Sequence, residues 1–449
     1  MKSEKQIREY ILTFTNLEFM MTNIIVVGGG AGGMELLGKI GKKLGKNGKA
    51  NITLVDISAY HIWKPLLHEL AVGSLDEGLN AVDYRAHASK NGYKFEQGAL
   101  TGVDRSNRKI ILASMKDKNG VEILPERYID YDYLVLGIGA ITNDFGIPGV
   151  REHCEFLDLT EQAMTMRQKI LNRFLQHAKK PDQGYFDITI VGAGATGTEM
   201  AAEMHHVADT LSGYGYEIAK DLLRINLIEA SDRVMPSLKK ECLYEAVDKQ
   251  LRALGVNIMT NTIITEVTAE GMYTKEEWFI KSDMMIWAAG VKGPDILGTL
   301  DLEVNTMNRL IVHANCQSTT DERIFSFGDC AACPQPDGSY TPPRGQTARQ
   351  MALLVGDNLI RLLKDKDAKL KDYLYKDLGG FVNMSKFYTV GNMFSFLGGG
   401  VAIKGCPARF VYASLYRRHI LAIHGPIKGL LLLALNGVQS RLRPQLKLW

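Results

Sequence analysis

Twice in this chain an unbroken run of aliphatic and β-branched residues ends in glycines at a fixed spacing, and twice the next such run ends in an acid. Asn23–Val27 (NIIVV) leads into Gly28, Gly30 and Gly33, and Ile52–Asp56 (ITLVD) follows. Ile188–Val191 leads into Gly192, Gly194 and Gly197, and Ile225–Glu229 (INLIE) follows. A continuous apolar run suits a strand buried on both faces, the condition of a parallel sheet covered by helices. In G-x-G-x-x-G after such a strand, the first glycine permits the tight turn into a helix and the second lets the backbone approach a pyrophosphate. The third lets helix and strand pack closely. Unpaired N–H groups and the dipole at the helix N-terminus then favour the diphosphate. Two copies roughly 160 residues apart are too distant for a solenoid repeat and suit two Rossmann-like dinucleotide-binding domains in an α/β chain.

The acids refine the reading. Asp56 is placed to accept hydrogen bonds from an adenosine ribose. It stands further from Gly28 than the usual ~20 residues, and a Lys/Gly-rich loop over Gly41–Lys49 takes up the extra length. Glu229 has the same role in the second copy and would repel a 2′-phosphate, favouring NADH over NADPH. Arg233, four residues on, is the residue that would accept such a phosphate instead. Tyr133–Ala140 (YLVLGIGA) and Met284–Gly290 (MMIWAAG) read as strands ending in small residues, where backbone approaches something closely. Ile324–Asp329 (IFSFGD) is a further buried strand, ending at Gly328 and Asp329.

With 449 residues, 46% hydrophobic and 23% charged, the chain has the balance of a globular protein of two or three domains at ~100–200 residues each. Six cysteines are too few and scattered for a disulfide framework. Cys330 and Cys333 form C-x-x-C, but Cys154, Cys242, Cys316 and Cys406 are isolated, so no second pair completes a zinc site. No C-x-x-x-x-C follows the first βαβ unit, which argues against a dithiol disulfide reductase. His61, His68 and the pair His205–His206 lack a third ligand at metal spacing and read as structural or solvated; no metal site is expected. The first twenty residues carry Glu4, Glu9 and Glu18 and no long apolar run, unlike a secretory signal. Met21 is as good a candidate initiator as Met1.

The tail differs from the rest. After Asp377 there is no Asp or Glu, and nine Lys and Arg follow. The first 377 residues therefore hold 44 Lys and Arg (53 less 9) against 50 Asp and Glu. At about 100° per residue, Val411, Tyr412, Leu415, Tyr416, Ile420, Ala422 and Ile423 share one half of a helix, with Arg417, Arg418 and His424 on the other. Leu421 and His419 break that pattern. A basic amphipathic helix of this kind suits a membrane surface. Pro426 and Lys428 are expected to interrupt it before Gly429–Leu435 (GLLLLAL), which is too short to cross a bilayer needing ~20 residues. Extending the span across Lys428 would cost ~2.5–3.5 kcal/mol. The leucine clusters favour lipid over nucleic acid, which needs charge and not Leu430–Leu433.

The stretches VVGGGAGGMEL, HIWKPLLHELAVGSLDEG, TIVGAGATGTEMAAE, FGDCAACPQP, PPRGQTARQMA, LYRRHILAIHG and RLRPQLKLW together resemble the two-dinucleotide-binding-domain flavoproteins. Within them, they resemble the type II (non-proton-pumping) NADH:quinone oxidoreductases, in their gamma-proteobacterial-like form. The resemblance runs from Asn23 to Trp449. It implies FAD at the first fingerprint, NADH at the second, and an NADH domain inserted into the FAD domain. The expected division is an extension over 1–20, FAD-binding segments over 21–145 and 299–378, an NADH-binding domain over 146–298, and a membrane-associating region over 379–449. By the same resemblance Asp329 binds the ribityl–diphosphate region of FAD, and Lys64 lies near the isoalloxazine. Glu199 lies near the nicotinamide and flavin and relays protons. Gln346 and Gln350, on one helix face, line a quinone site and stabilise charge developing on the quinone oxygen. The chain departs from that glutamine motif at Gly345, where relatives carry Ala, and at Arg349, where they carry a smaller or less charged residue. The implied setting is peripheral, on the cytoplasmic face of the inner membrane, with a quinone as partner and a homodimer possible. Two alternatives stay open: an NAD(P)H-dependent flavoprotein reductase of another acceptor, and a redox-sensing flavoprotein scaffold with a basic interaction tail.

Overall fold

The computed structural model describes residues 21–179, 184–213, 223–393, 400–442 and 446. The extension over 1–20 lies outside them. Two parallel sheets organise the chain. The first has five strands in the order Ile324–Ser326, Tyr133–Leu136, Thr22–Val27, Ala50–Asp56 and Lys94–Gln97, every neighbouring pair parallel. Alternation along its central strand feeds two cores. Ile24 and Val26 enter one apolar cluster with Leu36, Met351 and Val355. Ile25 and Val27 enter another with Ile110 and Leu112. That is why the run NIIVV has no polar face.

The second sheet has the order Asn257–Met259, Leu223–Ile228, Phe186–Val191 and Met284–Trp287, again all parallel. The strand Ile324–Ser326 completes the first sheet although it follows the whole of the second in sequence. The outward and return connections run side by side, Ile141–Thr142 pairing antiparallel with Val291–Lys292.

The Lys/Gly-rich stretch expected as a loop is helical at its start. Helix Ala31–Ile40 continues into a wide turn over Gly41–Gly45. The two glycines are the reason. A Cβ on Gly41 would stand 2.4 Å from the Asn91 carbonyl oxygen and one on Gly45 1.8 Å from that of Gly92, so the turn is pressed directly on neighbouring backbone.

Helix Gly345–Leu362 packs along helix Ala31–Ile40. The ion pair of Arg349 Nε with Glu35 Oε1 at 2.7 Å joins the two, and Lys39 Nζ adds Asp357 at 2.8 Å.

Beyond the second sheet, the strands Gly379–Met384, Tyr388–Met393 and Val401–Lys404 form an antiparallel sheet. Val382, Met384 and Val390 are buried in the same cluster as Met200, Met204 and Leu243 of the helices beside the second sheet. Two helices close the described chain, Cys406–His424 and Pro426–Leu442. The expected break falls at Gly425, before Pro426, while Lys428 lies inside a helix. Pro426 begins the second helix after Gly425 (φ 80°), as suits a residue without an N–H. Ala408, His419, Ile420 and Ile423 of the first helix are buried against the body, whereas Leu415 on the expected apolar half is 40% exposed, so protein covers that half only in part. The second helix carries the longer exposed row: Ile427 is 84% exposed, Leu430 and Leu431 61%, Leu435 49%, Val438 57% and Leu442 79%. No helix among the described residues is long and apolar enough to cross a membrane.

Candidate functional site

The two fingerprints adopt one geometry. Gly28 has φ 104° and Gly192 φ 102°, left-handed values that strain any side chain. A Cβ on Gly28 would stand 2.3 Å from the Gly137 oxygen, and one on Gly192 2.8 Å from the Ala288 carbonyl. Added to Gly33 or Gly197, it would meet the oxygen of Gly28 at 2.1 Å or of Gly192 at 2.0 Å. Gly30 and Gly194 differ: nothing lies within 4 Å of either Cβ position. The first and third glycines are demanded by the protein's own backbone. The middle ones border open space, which is where a diphosphate must come close to the main chain.

The acids are matched as well. Asp56 Oδ2 accepts from Gly29 N at 2.6 Å and Oδ1 from Ser58 N at 2.9 Å. Glu229 Oε2 accepts from Ala193 N at 2.8 Å and Oε1 from Ser231 N at 2.9 Å. Each carboxylate thus fastens the residue after the first glycine and retains further lone pairs for ribose hydroxyls. Burial pushes the Asp56 carboxyl up, and the N–H groups of Gly29 and Ser58 pull it back. Sequence reasoning missed Tyr84, whose hydroxyl donates to the Gly29 oxygen at 2.9 Å. Its ring lies 2.4 Å from where a Gly29 Cβ would be, so a fourth glycine of GGGAGG is also required. Arg233, the alternative acceptor for a 2′-phosphate in the sequence reading, stands 3.3 Å from Asp232 and 5.0 Å over the Tyr244 ring.

At the C-terminal end of the first sheet, Lys64 Nζ donates to the Ala140 oxygen at 2.7 Å and stands 3.9 Å from Asp158. The Gly290 oxygen accepts from Asn143 N at 3.4 Å across the paired connections. Gly328 takes φ 77° and turns the chain so that Asp329 faces inward. The Asp329 Oδ1 atom is buried and has no hydrogen-bond partner among the described residues. Burial raises this carboxyl, with Lys64 and Arg309 opposing. Arg309 holds the turn, donating to the main-chain carbonyl oxygens of Asp329 at 3.1 Å, Thr341 at 2.9 Å and Ala331. An acceptor left unsatisfied in a buried position is costly, and a polyhydroxyl chain passing from a diphosphate on Gly30 would satisfy it. These residues fit FAD.

The glutamines have partners already. Gln346 Nε2 donates to the Gly379 oxygen at 2.8 Å and its Oε1 accepts from Leu378 N at 2.8 Å. Gln350 Nε2 donates to the Lys376 oxygen at 2.9 Å, and its Oε1 accepts from Lys376 N at 3.2 Å and the Tyr373 hydroxyl at 3.3 Å. Both amides clasp the main chain from 376 to 379. Of the two departures, Gly345 is sterically silent, since its Cβ position is open. Arg349 is the partner of Glu35, whose side chain is only 7% exposed.

Glu199 is buried at the start of helix Ala195–Gly213, its Oε1 accepting from Asn383 N at 2.9 Å. Burial, reinforced by Glu69 and Glu203, pushes its carboxyl up to about 8 against the pull of the Asn383 N–H. His61 and His419, expected to be structural or to break a pattern, meet at 2.9 Å between their Nε2 atoms, both buried. His419 also stacks on Trp63 at 5.6 Å. The C-x-x-C thiols do not face each other as a pair. Cys330 donates to the Phe327 oxygen at 3.3 Å, while Cys333 neighbours the thiol of Cys316, which its sequence position had isolated. Among the described residues no group of three or more His, Cys, Asp or Glu is placed to hold a metal ion.

Residues 22–352 match the family described as pyridine nucleotide-disulphide oxidoreductase. The chain is 40% identical over 446 residues to the type II NADH:quinone oxidoreductase of Haemophilus influenzae, covering 95% of this chain and 100% of that protein. The enzyme of the same description from Staphylococcus aureus is 25% identical over 409 residues, 90% of this chain and 96% of that one. In fold it is similar to NDH2 from Plasmodium falciparum solved in complex with NADH, with a TM-score of 0.81, 18% identity and coverage of 95% and 100%. With both glycine cradles, the inward carboxyl of Asp329 and this identity over nearly all of its length, the chain belongs to the type II NADH:quinone oxidoreductases.

Proposed function

We propose that this chain oxidises NADH held at Gly192–Gly197 and reduces a membrane quinone by way of FAD held at Gly28–Gly33, without pumping protons. The observation that carries the reading is the matched pair of cradles, each open only at its middle glycine, with the unsatisfied Asp329 carboxyl beside the first. Segments 21–145 and 299–378 are assigned to FAD, 146–298 to NADH and 379–449 to the membrane side.

Bound FAD supplies a centre that accepts a hydride and can release electrons singly or in pairs. The protein's residues do the rest. Gly30 and Gly194 leave main-chain N–H groups free to meet the two diphosphates. Asp56 and Glu229 hold the fingerprint turns and receive ribose hydroxyls. Asp329 accepts from the ribityl chain. Lys64, fixed to the Ala140 carbonyl, brings a cation to the flavin edge. Glu199 carries a proton at its carboxyl, whose affinity near pH 8 suits exchange at neutral pH. Gln346 and Gln350 serve the quinone side, and their present partners revise how: they hold the chain from 376 to 379 as one wall of that site.

The exposed row Ile427, Leu430, Leu431, Leu435, Val438 and Leu442 supports docking on a membrane surface through helix Pro426–Leu442, which we assign to the cytoplasmic face of the inner membrane; a second copy of the chain is the competing occupant of that row. Steady-state oxidation of NADH, with and without a soluble quinone, tests the function. Quinone should accelerate turnover and form quinol in step with NADH loss. An NADH oxidation rate indifferent to quinone would refute it. Gln350→Ala should raise the quinone KM or lower quinone-dependent kcat while rapid flavin reduction by NADH survives.

A further inference from the structure

Helix Leu67–Val72 leaves the Lys64 loop and packs against helix Ala195–Gly213. Between them one imidazole is set between two carboxylates. His68 Nδ1 stands 3.8 Å from Glu199 Oε2, and its Nε2 stands 4.0 Å from Glu69 Oε1. Each gap is about 1 Å longer than a hydrogen bond, within reach of a side-chain rotation. Glu69 is the more exposed end of this line. The side chain of Glu69 is 22% exposed, that of His68 4% and that of Glu199 9%. Oxidising NADH delivers a hydride, hence two electrons and one proton, whereas a quinol needs two electrons and two protons. Each turnover therefore draws one proton from water.

We infer that His68 carries protons between Glu69 at the more exposed end and Glu199 at the proposed reaction centre, supplying that proton. The assignment rests on the quinone-reducing reading above and extends it to two residues for which composition and motif suggested no role. A neutral imidazole is suited to the step, since it accepts at one ring nitrogen as it releases from the other. Burial keeps His68 neutral, holding it down at about 4 with Glu203 opposing. Burial and the neighbouring Glu203 push the Glu69 carboxyl up to about 8, level with Glu199, so neither end of the line is a proton sink. The other groups facing it are few. Glu203 Oε1 is held by Ser74 Oγ at 2.6 Å. From the tail helix, the buried Tyr412 hydroxyl has no hydrogen-bond partner among the described residues and lies near the three glutamates, and Tyr416 lies near Glu69. Further along the helix, His206 sits among Glu203, Asp209, Lys386 and Arg409.

The test compares H68F, H68Q and E69Q as flavin-loaded enzymes, using a soluble quinone and, separately, ferricyanide, which takes electrons without protons. The ratio of quinone to ferricyanide turnover should fall about tenfold or more in each variant, as for loss of general acid–base transfer. The deficit should widen as the pH rises past about 8, with the quinone KM unchanged. H68Q keeps a polar group at the position if Phe disturbs packing. An independent readout is infrared difference spectroscopy on the resting enzyme. Wild type should show protonated-carboxyl bands lost near pH 8, and E69Q should lack one of them. A wild-type ratio in both H68F and E69Q, with wild-type quinone turnover intact, would overturn the relay and leave the function standing. A wild-type enzyme that reduces ferricyanide and no quinone would overturn both.

Discussion

Replacing Leu430, Leu431 and Leu435 with Ser should detach the protein from membranes, and the size of the effect can be worked out from exposure. A Leu side chain is worth ~1.5–3 kcal/mol between full exposure and full burial. These three are 61%, 61% and 49% exposed, so insertion removes somewhat over half of each from water, roughly 2.5–5 kcal/mol together. At ~1.4 kcal/mol per factor of ten, the triple variant should lose about a hundredfold to several thousandfold in vesicle partitioning. The basic residues act differently, adding about 1 kcal/mol each near an anionic surface. High salt should therefore release wild type only partly, because screening weakens that contribution and spares the apolar one. Co-sedimentation with anionic vesicles over a range of lipid concentrations measures both effects. Binding within threefold of wild type in the Ser variant, or complete release of wild type by salt, would refute insertion through this helix.

Gly30→Val should give folded but colourless protein, because its Cβ position is open in the structure and lies where the diphosphate must come. Gly33→Val should fail to fold, its Cβ standing 2.1 Å from the Gly28 oxygen; flavin absorbance and circular dichroism of each separate the two outcomes. Glu229→Ala should narrow the ratio of kcat/KM for NADH over NADPH, as the acid that opposes a 2′-phosphate is lost. An unchanged ratio would move the discrimination elsewhere. Glu199→Gln should change the pH dependence of stability. A carboxyl raised on folding from 4.5 to about 8 favours the folded state fully below pH 4.5, and the contribution is lost as pH rises to about 8. The decline in Tm across that window should be shallower in the variant than in wild type.

What could be read from the residues is what neighbouring backbone dictates. Gly28, Gly33, Gly192 and Gly197 are required by contacts within their own strand–turn–helix units or with the adjoining strand, and an acid ending the next strand falls into place behind each turn. The reading weakened where the deciding contact comes from far along the chain. Gly29 is required by Tyr84, and Gln346 and Gln350 are claimed by backbone some thirty residues on, which spacing along one helix cannot reveal. Periodicity identified an apolar face on Val411–Ile423 but not its partner. Ile420 and Ile423 of that face are buried against the body while Leu415 stays 40% exposed, and the leucine-rich segment that follows carries the longer exposed row. The Gly41–Gly45 turn misled for a related reason. Glycines that elsewhere mark loops here admit the backbone of Asn91 and Gly92.

The most direct test of electron flow from NADH through FAD to quinone is a sequential-mixing stopped-flow experiment without oxygen, following flavin absorbance. Stoichiometric NADH should bleach the flavin, and stoichiometric quinone mixed afterwards should restore the colour at a rate at least equal to kcat, with quinol appearing in the same phase. A flavin that NADH bleaches but quinone leaves bleached, or recolours more slowly than the enzyme turns over, would contradict the account.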